Sequence, residues 1–159
     1  MHELLIPDVA QIEAWLRQAG YEFWMCDKCD GLHISALQQL DGILDSRLFI
    51  EPYGILFSTE MDLKLSSVMK LNAELGRFNA SLPTMKLFME IMDNGGALLV
   101  SSDALITTKG VTYDQFYDFL DMTVEAKKWL LNECHELQVI FQGETGPTAH
   151  QSEVTPSLH

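Results

Sequence analysis

Ile55-Leu56-Phe57-Ser58-Thr59-Glu60-Met61-Asp62-Leu63-Lys64 is the stretch on which the fold reading turns. Its period is two: Ile55, Phe57, Thr59, Met61 and Leu63 share one face, opposite Leu56, Ser58, Glu60, Asp62 and Lys64. Strict alternation over this length is a strand with one face to a core. Immediately downstream the period becomes helical. Val68, Leu71, Leu75, Phe78 and Leu82 recur at intervals of three and four, and Pro83 stops the run.

Upstream, Glu51-Pro52-Tyr53-Gly54 reads as a turn, with a third strand over Ile43 to Ile50 before it. Earlier still, Tyr21, Phe23 and Met25 alternate with Glu22, Trp24 and Cys26, which predicts a strand with one mostly buried face. Asp27-Lys28-Cys29-Asp30-Gly31 turns it, and Leu32-His33-Ile34 begins the return. A first helix runs over Val9, Ile12, Leu16 and Ala19, with Asp8 as N-cap, Gln11 at capping-box spacing and Gly20 as stop.

Downstream, Met85, Leu87, Met89 and Ile91 alternate again. Asp93-Asn94-Gly95-Gly96 is a hairpin signal, because Asn and Gly tolerate positive φ, and Leu98 to Ile106 returns. Thr112 and Gln115 form a capping box, with Val111 and Phe116 as a staple. The helix they open carries Phe116, Phe119, Leu120, Thr123, Ala126, Leu130 and Cys134 on one face to about residue 140. The order is therefore α-β-β-β-β-α-β-β-α. Short connections between consecutive strands predict an α+β fold with an antiparallel sheet flanked by helices. Residues 1–143 are expected to form a single domain, and the aperiodic stretch 144–159 a disordered tail.

A chain of 159 residues suits one domain and buries roughly 70% of its unfolded surface, enough to fold without disulfides or a structural metal. Ten basic residues against 23 acidic ones give a net charge of −13. That sign repels phosphate backbones and anionic lipid, so neither nucleic acid nor membrane is expected as a partner. It favours proteins that offer basic or amphipathic segments. The N-terminal residues lack the pattern of a signal peptide, and the expected location is the cytoplasm.

Candidate chemistry is sparse. Cys26 and Cys29 have the spacing of a metal or redox pair, His33 offers a third ligand, and Cys134 or His135 a distant fourth. The pair lies at a strand-to-strand turn rather than at a helix N-terminus, and Asp27 and Asp30 beside it should raise the thiol pKa. Two ordinary hairpin cysteines are the expectation, with no metal or cofactor assigned. His33 has no nucleophile motif to serve, and no phosphate-binding loop or calcium loop is present. No residue is assigned a catalytic role. Met85, Met89 and Met92 with Phe88 form either an adaptable apolar surface or part of a Met-rich core.

Several segments together resemble the YbjN family of bacterial regulators, particularly its enterobacterial members. They are Phe23-Trp24-Met25-Cys26-Asp27-Lys28-Cys29-Asp30-Gly31-Leu32-His33, Asp41-Gly42-Ile43-Leu44-Asp45 and Ile55-Leu56-Phe57-Ser58. Phe78-Asn79-Ala80-Ser81, Gly110-Val111-Thr112-Tyr113-Asp114-Gln115-Phe116 and the closing Leu158-His159 continue the series. The resemblance implies a regulator affecting stress response, motility and exopolysaccharide production. It also implies a fold similar to class I type III secretion chaperones, which are small acidic homodimers. No catalytic residue comes with it.

Three functions follow as expectations. The first is a cytoplasmic, homodimeric, non-enzymatic regulator acting through an unidentified protein partner, with Val68, Leu71, Leu75, Phe78, Met85, Phe88 and Met92 as the dimer or partner seam. The second is a secretion-type chaperone that wraps an extended client. The third is a thiol or zinc switch at Cys26 and Cys29.

Overall fold

The computed structural model describes residues 3–141, so the tail expected over 144–159 lies outside the described residues. Six strands form one antiparallel sheet in the order β1-β2-β3-β4-β6-β5. They are β1 Phe23–Met25, β2 Leu32–Ile34, β3 Ile43–Glu51, β4 Gly54–Leu63, β5 Lys86–Ile91 and β6 Ala97–Ile106. The helices are α1 Val9–Gln18, α2 Ser35–Gln38, α3 Val68–Ser81 and α4 Tyr113–Glu136. This is the α+β order that the alternation predicts, with α2 added as a single turn too short to leave a periodic signal.

The alternation of β4 has the predicted consequence. Ile55, Phe57, Thr59, Met61 and Leu63 are buried, whereas the residues between Leu56 and Asp62 on the other face are only half-buried. The buried apolar side chains of all four helices join clusters formed with the Phe57 side of the sheet. One cluster gathers Met61, Leu71, Phe78, Leu99, Leu130 and Ile140; the other gathers Ile12, Leu16, Leu48, Phe57, Phe116 and Leu120.

Between the two clusters runs a polar rung that the sequence reading does not anticipate. Ser46 pairs with Thr59 and Thr59 with Ser101 across β3, β4 and β6, and the Ser46 and Thr59 hydroxyls lie 2.9 Å apart. From α4, Lys127 reaches this rung with its side chain wholly buried. Its Nζ donates to the Ser101 hydroxyl and carbonyl at 2.9 Å each and to the Phe57 carbonyl at 3.3 Å. Asp103, also buried, accepts from Thr84 and Thr123 at 3.0 and 3.1 Å. Three donors meeting three acceptors is what a buried ammonium requires.

Helix ends follow their sequence signals with two differences. The Thr112–Gln115 box closes in both directions, at 2.9 and 3.2 Å, whereas at α1 the described bond is the one from Gln11 N–H to Asp8, at 2.8 Å. The last helix, expected to reach about residue 140, ends at Glu136. Gln138 adopts φ 58°, which turns the chain so that buried Val139 and Ile140 fill the core and Ile140 bridges to Leu63. Lys70 and Lys64 bond the carbonyls of Leu137 and Gln138 at 2.6 and 3.1 Å, which satisfies acceptors freed by the turn. Strand β1 also departs from expectation, because Met25 is exposed rather than buried: a three-residue edge strand outruns the core beneath it.

Candidate functional site

The helix-free side of the sheet carries a side-chain row that runs across every strand. Trp24 pairs with His33, His33 with Arg47, Arg47 with Ser58, Ser58 with Ser102 and Ser102 with Lys86. Pleating puts cross-strand partners on the same face, so the row gathers residues spread along the sequence from Trp24 to Ser102. At its β1–β2 end the Asp27–Asp30 turn folds the two cysteines over His33.

There Cys26, Cys29 and His33 come together, with one ligand atom from each lying within 4.8 Å of the others. Cys29 Sγ is 3.4 Å from His33 Nε2, and Cys26 Sγ accepts the Lys28 N–H at 3.4 Å. The imidazole is held on three sides. Trp24 stacks on it with centroids 5.0 Å apart and planes 5° from parallel. On the far side of the ring, Nδ1 lies 3.0 Å from Gln38 Oε1 and 3.1 Å from Asp45 Oδ1. Both of those are acceptors, so Nδ1 carries the proton and Nε2 presents its lone pair toward the sulfurs. The short helix α2, which buries Leu37 in the core, also positions Gln38, whose amide bonds Leu44 O and Ser46 N.

Cys29 overturns the expectation that the flanking aspartates raise its thiol. The Gly31 backbone N–H, and after it the Arg47 and Cys26 side chains, bring the thiol down to about 7 against a burial that pushes up. The decisive groups are hydrogen-bond donors aimed at sulfur, and one of them, Arg47, arrives from β3 by strand pairing rather than by sequence proximity. Arg47 is itself clamped by Asp45 at 3.1 Å and Glu60 at 3.4 Å. Gly31 permits the approach, because a Cβ there would meet the Arg47 side chain at 3.0 Å and the Phe49 ring at 3.1 Å.

The distant fourth ligands do not join. Cys134 is buried in the core cluster of Leu130 and Ile140, and burial pushes its thiol up to about 12. His135 bonds the Asp41 carbonyl at 2.9 Å through Nε2.

The seam residues divide. Leu71, Phe78 and Met85 are buried in this chain's own core, and Val68 and Leu75 pack against it. The helix stripe is therefore turned inward, as a stripe facing a sheet must be. Phe88 and Met92 remain 46% and 42% exposed, beside Ile91 at 57%. Phe88 belongs to the helix-free face, next to Val100, and β5 is an edge strand.

The chain as a whole has relatives among known proteins. The model of the YbjN family, described as "Putative bacterial sensory transduction regulator", matches residues 8–136. The "Uncharacterized protein YbjN" of Escherichia coli (strain K12) is 32% identical over 141 residues, 89% of each chain, and that of Shigella flexneri matches to the same extent. The crystal structure of YbjN, "a putative transcription regulator from E. coli", superposes with a TM-score of 0.83 at 31% identity, covering 89% of this chain and 100% of that one. No helix among the described residues is long and apolar enough to cross a membrane.

Proposed function

Because this chain belongs to the YbjN family, we propose that it is a non-enzymatic regulator that transmits a signal by binding other proteins. The observation that carries the reading is the helix-free sheet face. It presents Trp24, Phe49, Leu56 and Phe88 among Arg47, Glu60, Lys86 and Glu90, the mixture of apolar anchors and charged rim on which protein interfaces are built. We assign it a cytoplasmic site of action and outputs in stress response, motility and exopolysaccharide production. Any effect on transcription is indirect in this reading, since a net charge of −13 opposes a phosphate backbone.

A homodimer is part of the same proposal. Its seam is the exposed remainder of the set named from the sequence, Phe88 on edge strand β5 and Met92 just past its end, where a two-fold axis would place like patches against each other. The double substitution Phe88→Asp with Met92→Asp tests both statements. Light scattering should then give a folded monomer, and cells carrying the variant at normal abundance should change motility and exopolysaccharide output. A variant that stays dimeric refutes the seam. Unchanged outputs refute the dependence of regulation on this surface.

A further inference from the structure

We propose that Cys26, Cys29 and His33 form a binding site for a soft divalent cation of the zinc class, with its fourth coordination position open to solvent or to an incoming ligand. The proposal goes beyond the regulator reading and stands without it.

Three independent features of the cluster support it. The first is spacing. Tetrahedral zinc bonded to sulfur at about 2.3 Å and to nitrogen at about 2.0 Å sets the sulfur–nitrogen separation near 3.5 Å. Cys29 Sγ and His33 Nε2 already stand at 3.4 Å, and all three ligand atoms lie within 4.8 Å. Closing the set asks only for a turn of the Cys26 or Cys29 side chain, both of which are half-buried at the surface.

The second is orientation. A ligating imidazole ordinarily gives its other ring N–H to a carboxylate or carbonyl, which fixes the tautomer and the ring plane. Here Gln38 Oε1 and Asp45 Oδ1 flank Nδ1, and the Trp24 stack locks the plane. Asp45 Oδ1 is buried and lies off the line of a directed hydrogen bond, although it is 3.1 Å from Nδ1. A small rotation of the ring on metal binding would give that orphaned oxygen its donor.

The third is charge. Two thiolates and a neutral imidazole make a neutral complex with a divalent cation. The nearby Arg47 guanidinium is balanced by Asp45 and Glu60 and pairs across the strands with His33, which puts a donor next to the cluster in the place of an outer partner to a metal-bound thiolate. Binding passes the remaining thiol protons to solvent, with no oxidant or reductant required.

Protein purified anaerobically and stripped of metal is titrated with Zn2+ against a chromogenic chelator, and in parallel with Co2+. The expected result is one zinc per chain at submicromolar affinity, and a cobalt spectrum with sulfur-to-metal charge transfer and tetrahedral ligand-field bands. Cys26→Ser, Cys29→Ser and His33→Gln should each abolish that spectrum. Asp45→Asn keeps all three ligands and should weaken zinc by about 10–100-fold. Circular dichroism identifies any variant that fails to fold, and Asp45→Asn then carries the comparison. Failure of the reduced wild-type protein to bind either metal overturns the proposal, as does zinc retained by the Cys26→Ser, Cys29→Ser double variant. A Cys26–Cys29 disulfide formed by protein that never binds metal overturns it equally.

Discussion

The Lys127 ammonium donates to the Ser101 hydroxyl at 2.9 Å, joining the middle of α4 to the middle of β6 at the level where the apolar core divides in two. Hydrophobic packing alone would let α4 slide along the sheet, because Leu and Phe contacts are non-directional. A buried cation with three acceptors sets one register. Breaking it by truncation leaves Ser101 and Phe57 acceptors short of a donor, as well as a cavity.

Lys127→Ala should therefore cost about 2–4 kcal/mol of unfolding free energy, and Lys127→Met much less, because Met fills the volume without a charge to desolvate. Burial pushes the Lys127 pKa down to about 7, against an ordinary value of 10.5, with Asp103 pulling upward. Between those values the unfolded chain binds more protons than the folded one. Lys127 thus makes stability rise with pH from about 7 to about 10.5. Urea melts of wild type and Lys127→Met across this range should show the wild type gain stability relative to the variant as pH rises. Parallel curves would mean that Lys127 keeps the same charge folded and unfolded.

Gly54 and Gly95 both turn hairpins at positive φ, 149° and 84°, but their surroundings differ. A Cβ on Gly54 would stand 2.0 Å from the Leu105 carbonyl, inside β6, whereas one on Gly95 meets nothing within 4 Å. Gly54→Ala should cost more than about 2 kcal/mol, from strain and forced separation of β4 from β6, and Gly95→Ala about 1 kcal/mol from φ alone. Thermal or urea denaturation of the two variants side by side measures the contrast. Equal losses would show that the β4–β6 approach relaxes freely.

These residues mark what sequence can carry. The strands were legible because β4 and the β5–β6 hairpin alternate on a two-residue period, and α4 because Thr112 and Gln115 announce its start. Met25 misleads, since alternation reports a face but not whether the core extends beneath an edge strand. Lys127 hides by type: a lysine next to Lys128 reads as surface. Its position four after Thr123 and three before Leu130 places it on the buried stripe, which is the signal that finds it. Cys29 depends on Arg47, 18 residues away, through a β2–β3 register that composition does not encode.

That register adds Arg47 to the groups that set the reactivity of Cys29. Cys29 is brought down to about 7 by the Gly31 N–H and by Arg47, while Cys134 is driven up to about 12 by burial. Thiolate is the nucleophile, so alkylation of Cys29 by iodoacetamide should rise through neutral pH and level off above it, with Cys134 inert until the protein unfolds. Arg47→Gln removes one donor to sulfur and should move the Cys29 midpoint upward, leaving Gly31 as the principal remaining one. Peptide mapping of the alkylated sites against pH measures both effects. A midpoint unmoved by Arg47→Gln would mean that the backbone of the turn, rather than the paired strand, sets the thiol, and that Arg47 serves only Asp45 and Glu60.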